Sequence, residues 1–227
     1  MALLKLTLQG AVAALLAACS SAPPTADGGF VSLFNGKDLT GWQADPDSAW
    51  VVEDGVIALR GRADGKEHNG DYLWTRETYA DFVLELEFRI PEQANSGVFF
   101  RTSDLKDPVY TGLEMQVANS YGKEALSRGG TAGAIYDCLA PRRNAVRKPG
   151  EWNHARITCR GSRVEVVLNS EQVIDMDLDR WTEPQKNPDG SKNKFPRAMK
   201  DFARVGYIGL QDHGRPVWYR NLRVKKL

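Results

Sequence analysis

Little in this sequence of 227 residues is built for nucleophilic or nucleotide chemistry. It has three cysteines and three histidines, with no Cys-x-x-Cys or His-Glu-x-x-His spacing to gather metal ligands. It has no Gly-x-Ser-x-Gly elbow, and its glycines at 28–41 and 128–133 lack the pattern of a phosphate-binding loop. Charge is balanced, with 30 Lys and Arg against 29 Asp and Glu. That balance excludes the basic patch of a nucleic-acid binder and the acidic run that meets a polycation. Sustained helical periodicity, internal repeats and low-complexity tracts are missing as well.

The one marked apolar run, Leu6 to Leu16, follows Lys5 and is too short to cross a membrane. With the Leu16-Ala17-Ala18-Cys19 that follows, residues 1–18 read as a secretory signal. Cys19 resembles the lipidated cysteine of bacterial lipoproteins, and residues 19–28 (CSSAPPTADG) read as its tether. The expected location is therefore the bacterial cell envelope, lipid-anchored at the periplasmic face of the outer membrane. Cys138 and Cys159 remain, either as a disulfide or as two separately buried thiols.

About 200 residues suit one β domain with its own core, expected over 29–227. Val83 to Ile90 (VLELEFRI) alternates, sending Leu84, Leu86, Phe88 and Ile90 inward. Val98 to Arg101, a hairpin over 155–168, Val205 to Gln211 and Val217 to Val224 add further strands. The expected fold is all-β, a two-sheet sandwich. Residues 179–203, with three prolines, read as a long ordered loop at a cleft rim, where Trp181 and Phe195 give it something to pack.

The stretch TGLEMQVAN (111–119) also alternates. Leu113, Met115 and Val117 share one face of an extended chain, and Glu114 and Gln116 share the other. That second face meets either bulk water or a cleft.

Several segments in order resemble one family: GFVSLFNGKDLTGW (29–42), NSGVFFR (95–101), Gly-x-Glu-x-Gln (112–116), AGAIYDCLAP (132–141), GEWNHARI (150–157) and GYIGLQDHGRPVWYRNLRVKKL (206–227). Together they resemble the 3-keto-disaccharide hydrolase domain family over essentially the whole mature chain. The resemblance implies a jelly roll of the concanavalin A-like lectin and glucanase type, exported, acting on glycosides that carry a ketone at C3. A sugar dehydrogenase would supply that ketone. The alternative function is a non-catalytic, lectin-like carbohydrate-binding lipoprotein.

Retaining glucanases of this architecture resemble Glu-x-Asp-x-x-Glu on the equivalent strand, with two carboxyl groups about 5–5.5 Å apart. Here those positions hold Glu114, Gln116 and Asn119. One carboxylate does not support double displacement, but it suffices for a 3-keto sugar. The ketone acidifies C2–H, and a base there allows elimination of the C1 substituent, with or without hydration. Glu114 is the candidate base. His213, on the polar side of strand 205–213 with Gln211, is a candidate acid or donor, or else fixes a turn. Arg101 either donates to an enolate or pairs with Glu114 or Asp137. Asp137 is a second acid or base, or a turn cap.

Gln116, Gln211 and Asn119 are expected to orient hydroxyls. Tyr136, Trp181 and Trp218 are candidate platforms for a sugar face, with core packing as the alternative for each tryptophan. A divalent ion held by Glu114, Asp137 and His213 would stabilise an enolate, and the residues leave its presence open.

Overall fold

The computed structural model describes residues 28–44, 47–60 and 71–227. Among these, thirteen strands form two antiparallel sheets. The first contains Val31–Ser32 (β1), Trp50–Glu53 (β3), Val56–Leu59 (β4), Phe82–Arg89 (β6), Trp152–Arg160 (β9), Arg163–Leu168 (β10), Glu171–Asp177 (β11) and Val217–Lys226 (β13). Its order is β11-β10-β9-β6-β13-β4-β3, with β1 beside β13. The second contains Trp42–Gln43 (β2), Tyr72–Tyr79 (β5), Asn95–Thr102 (β7), Leu113–Ala118 (β8) and Gly206–Gln211 (β12), in the order β2-β5-β12-β7-β8. This is the expected all-β jelly-roll sandwich.

Period-two patterning explains the layers. Leu84, Leu86 and Phe88 of β6 are buried against the facing sheet, together with Ala155, Ile157, Val164 and Val166. From the second sheet, Leu113, Met115, Val117, Val98, Phe100, Ile208 and Leu210 enter the same core. The opposite side chains of β6 face outward, yet Glu85 is also buried. Arg156 and Arg223 reach over it, with nitrogen–oxygen distances of 2.5 and 2.6 Å, so cross-strand partners rather than the core cover this carboxylate.

Cys138 and Cys159 are both free and buried, so the disulfide alternative is not realised. Burial pushes the Cys159 thiol up to about 12, which suits an inert apolar side chain. The signal segment, Cys19 and the tether up to residue 27 lie outside the described residues, as does His68. No helix among the described residues is long and apolar enough to cross a membrane.

Two irregular segments complete the second sheet. Residues 133–136 run beside β8: Gln116 N donates to Ala134 O, Gly133 N to Gln116 O and Tyr136 N to Glu114 O, each at 2.9 Å. The loop at 179–203 folds back onto this edge. Trp181 is buried and its Nε1 donates to Asn187 Oδ1 at 2.8 Å; Asn187 Nδ2 in turn donates to Asp137 O at 3.2 Å. Phe195, Met199 and Phe202 anchor the loop in the main core.

Candidate active site

A cavity of about 640 Å³ opens over the outer face of the second sheet, within the usual range of small-ligand sites. Its floor follows from strand register. Tyr72 pairs with Gln211, and Gly97 pairs with Gln116, forming one cross-strand row; Trp74, Gly209, Phe99 and Glu114 form the next. Glycines make both rows possible. A Cβ at Gly97 would overlap the Glu114 carboxylate, and one at Gly209 would overlap the Trp74 ring. The missing side chains are the space that Glu114 and Trp74 fill.

Glu114 is only 6% exposed, and no hydrogen bond to its carboxylate is formed among the described residues. Desolvation pushes its pKa up to about 7, against the attraction of the Lys194 charge. Lys194 also lines the cavity. Its own pKa is lowered, because burial outweighs the stabilising charges of Glu114, Cys138 and Asp137. Both groups thus lose more from desolvation than their mutual attraction returns. Lys194 Nζ lies 4.5 Å from the centre of the Tyr136 ring.

The amides are arranged to read hydroxyls. Gln116 Nε2 donates to Asn95 Oδ1 at 2.9 Å, which leaves Gln116 Oε1 buried with no partner among the described residues. Gln211 hydrogen-bonds Tyr72, and its Oε1 is likewise buried and unpartnered. A buried acceptor without a donor is costly unless a ligand supplies one.

Of the residues singled out by sequence, Glu114, Gln116, Gln211, Tyr136 and His213 line this one cavity. Five others, Arg101, Asp137, Asn119, Trp181 and Trp218, lie elsewhere. Arg101 has φ 52°, which breaks the alternation of β7 and turns its side chain away from the Phe99 face. It is 2% exposed and ties the sheets together, donating to Ala80 O at 3.0 Å, Gly161 O at 2.7 Å and Asp81 Oδ1 at 2.9 Å. Its ion-pair partner is therefore Asp81, in place of Glu114 or Asp137.

Asp137, also at positive φ, accepts the Lys194 backbone N–H on Oδ2 at 2.6 Å. It positions the loop that carries Lys194 and does not line the cavity. Asn119 donates to Glu92 O at 2.9 Å and accepts from Tyr121 N, a turn-fixing role outside the cavity. Trp181 belongs to the core, and Trp218, on the other sheet, has the Arg89 guanidinium 4.6 Å from its ring centre.

Asp137 does not line the cavity, so it does not join Glu114 and His213 there as the candidate metal set would require. Among the described residues no three His, Cys, Asp or Glu side chains are grouped to hold a metal ion.

Several contributors went unrecognised in sequence, among them Tyr72 and Asn95, the partners of Gln211 and Gln116. Lys194 lies in an irregular loop, and a lysine among Asn, Ser and Pro carries no signal of burial. Residues 105–110, which wall one end of the cavity, have no periodicity either; Pro108–Thr111 is a single helical turn (α1).

Residues 29–225 match the family described as the 3-keto-alpha-glucoside-1,2-lyase-like domain. A 3-keto-disaccharide hydrolase from Bacteroides thetaiotaomicron is 30% identical, over 90% of this chain and 80% of that one. A crystal structure from Parabacteroides distasonis, provisionally named a glycosyl hydrolase, is 34% identical with a TM-score of 0.77, covering 87% of this chain and 99% of that one. A Bacillus subtilis protein with a galectin-like fold, 16% identical, superposes with a TM-score of 0.54 over 82% of this chain and 90% of its own, a likeness of fold alone.

Proposed function

Because the chain belongs to the 3-keto-alpha-glucoside-1,2-lyase-like family, we propose that it cleaves 3-keto-glycosides, 3-keto-disaccharides among them, with Glu114 as the base. The observation that carries this reading is a lone buried carboxylate on the cavity floor, held near neutrality and free of hydrogen bonds among the described residues. A base used at neutral pH works best with a pKa close to that pH.

Glu114 takes the proton from C2, and the electrons of that bond pass toward the C3 oxygen. The Lys194 ammonium, the cavity cation whose charge acts on Glu114, is the candidate to stabilise that oxygen. Collapse of the enolate breaks the C1–O bond, and the departing oxygen takes a proton, for which His213 is the candidate donor. The product is a 1,2-unsaturated 3-ketone. Water adding across its double bond completes a net hydrolysis; release without water is the lyase outcome. Both outcomes share the Glu114 step. Gln116 and Gln211 accept hydrogen bonds from sugar hydroxyls and hold the ring. The substrate must come from an oxidation at C3, the work of a sugar dehydrogenase. A lipid anchor at Cys19 would hold the enzyme in the envelope where such glycosides arrive.

The test is product analysis with a 3-keto-glucoside beside the unoxidised glucoside, repeated with deuterium at C2. Release of the aglycone from the keto sugar alone, slowed by deuterium, supports the mechanism. Equal cleavage of both sugars, or binding without cleavage, refutes it; the second result favours a carbohydrate-binding protein.

A further inference from the structure

The cavity is divided along the strands, and the division bears on what leaves C1. β7 and β8 run antiparallel, and both lead from the row of Gln116 and Gly97, through the row of Glu114 and Phe99, into the connection at 103–112. On the Gln116 side lie the unpartnered amide oxygens of Gln116 and Gln211, with Asn95 and His213. On the far side of Glu114 the wall is Leu105, Pro108, Val109 and Tyr110. Leu105 packs on the aromatic cluster of Tyr72, Trp74 and Phe99 beneath it. Tyr110, which also lines the cavity, is 40% exposed, a large ring left bare to solvent. The charged Lys106 and Asp107 of the same wall are exposed as well.

Glu114 therefore stands between a half that reads hydroxyls and a half that offers apolar surface. On the function proposed above, the base acts at C2 and the bond that breaks is at the neighbouring C1. The sugar and its leaving group must then lie on opposite sides of Glu114. A ring with several hydroxyls satisfies Gln116 and Gln211; placed against Leu105 and Val109, it would give up hydration for no partner.

We propose that the cavity selects 3-keto-glycosides whose aglycone is apolar, an alicyclic or aromatic group seated on Leu105, Pro108, Val109 and Tyr110, with the keto sugar on the Gln116 and Gln211 side.

The experiment compares kcat/KM for the methyl and cyclohexyl 3-keto-glucosides and a 3-keto-disaccharide. The leaving alcohols of the first two are chemically similar, so their difference reports contact rather than leaving-group ability. The cyclohexyl glycoside should be preferred over methyl by roughly tenfold, the scale set by burying part of a hydrocarbon ring, and should also exceed the disaccharide. Tyr110→Ala and, separately, Val109→Ser should each lower the cyclohexyl-to-methyl ratio several-fold. Equal turnover of the two simple glycosides, preference for the disaccharide, or a ratio untouched by both substitutions overturns the proposal while leaving the function standing. Cleavage of none of the keto sugars overturns the function itself.

Discussion

Replacing Glu114 with Gln separates the base from the fold. In the unfolded chain the carboxyl titrates near 4.5, whereas in the folded protein burial raises it to about 7. A folded value above the unfolded one means that the native state binds this proton more tightly. The group therefore stabilises the protein most below pH 4.5, and that contribution is lost as pH rises through 4.5 to about 7. At about 1.36 kcal/mol for each tenfold change, the full cost of keeping the ionised form is about 3 kcal/mol.

Glutamine has nearly the same shape and never ionises. At pH 5, where the buried carboxyl is protonated, the variant should match the parent within about 1 kcal/mol. At pH 8 it should be more stable by about 2–3 kcal/mol, or about 5–10 °C in Tm for a domain of this size. Urea unfolding of both proteins at pH 5, 6.5 and 8 reads the difference directly, and turnover of a 3-keto-glucoside should be lost in the variant at every pH. A stability difference that does not change with pH would refute the buried, near-neutral carboxyl. Retained turnover would refute its role as base.

Turnover should rise with pH through about 7, because the base must be ionised, and a flat kcat/KM profile from pH 5 to 8 would contradict this. Lys194→Met should move that rise to higher pH, since the Lys194 charge is what holds the Glu114 pKa down; an unmoved limb would place the ammonium too far away to matter. Arg101→Met should destabilise the fold by about 1–2 kcal/mol in denaturant unfolding, by removing three hydrogen bonds and leaving Asp81 Oδ1 with the Gly161 N–H. Below its unfolding transition that variant should keep its pH profile, and a displaced profile would return Arg101 to the site. Cys19→Ser should release the protein from the membrane fraction on detergent-free fractionation, and continued sedimentation with membranes would disprove the anchor.

The parts of the site that were readable in sequence are those on regular strands. Alternation in 111–119 assigns Leu113, Met115 and Val117 to the core and Glu114 and Gln116 to the other face, because in a pleated strand neighbouring side chains must point apart. The same rule placed Gln211; His213 was expected on the same strand, but β12 ends at Gln211 and His213 lines the cavity from the segment that follows. The rule failed at Arg101, where one residue at positive φ breaks the period of two and turns the guanidinium toward Asp81.

Only the tertiary structure decided which polar face is a cleft, since water and a cavity wall ask for the same residues in a strand. It alone brought in Lys194, carried to Glu114 by a hydrogen bond from its backbone to Asp137, 57 residues away in the chain. It also brought the Leu105 to Tyr110 segment, which joins β7 to β8 past the Glu114 row, into the wall of the same cavity. The near-neutral carboxyl of Glu114 is likewise a tertiary property, because a pKa is raised by the water that surrounding residues exclude. Local pattern sets the direction in which a side chain points; what it meets there depends on chain segments far away in sequence.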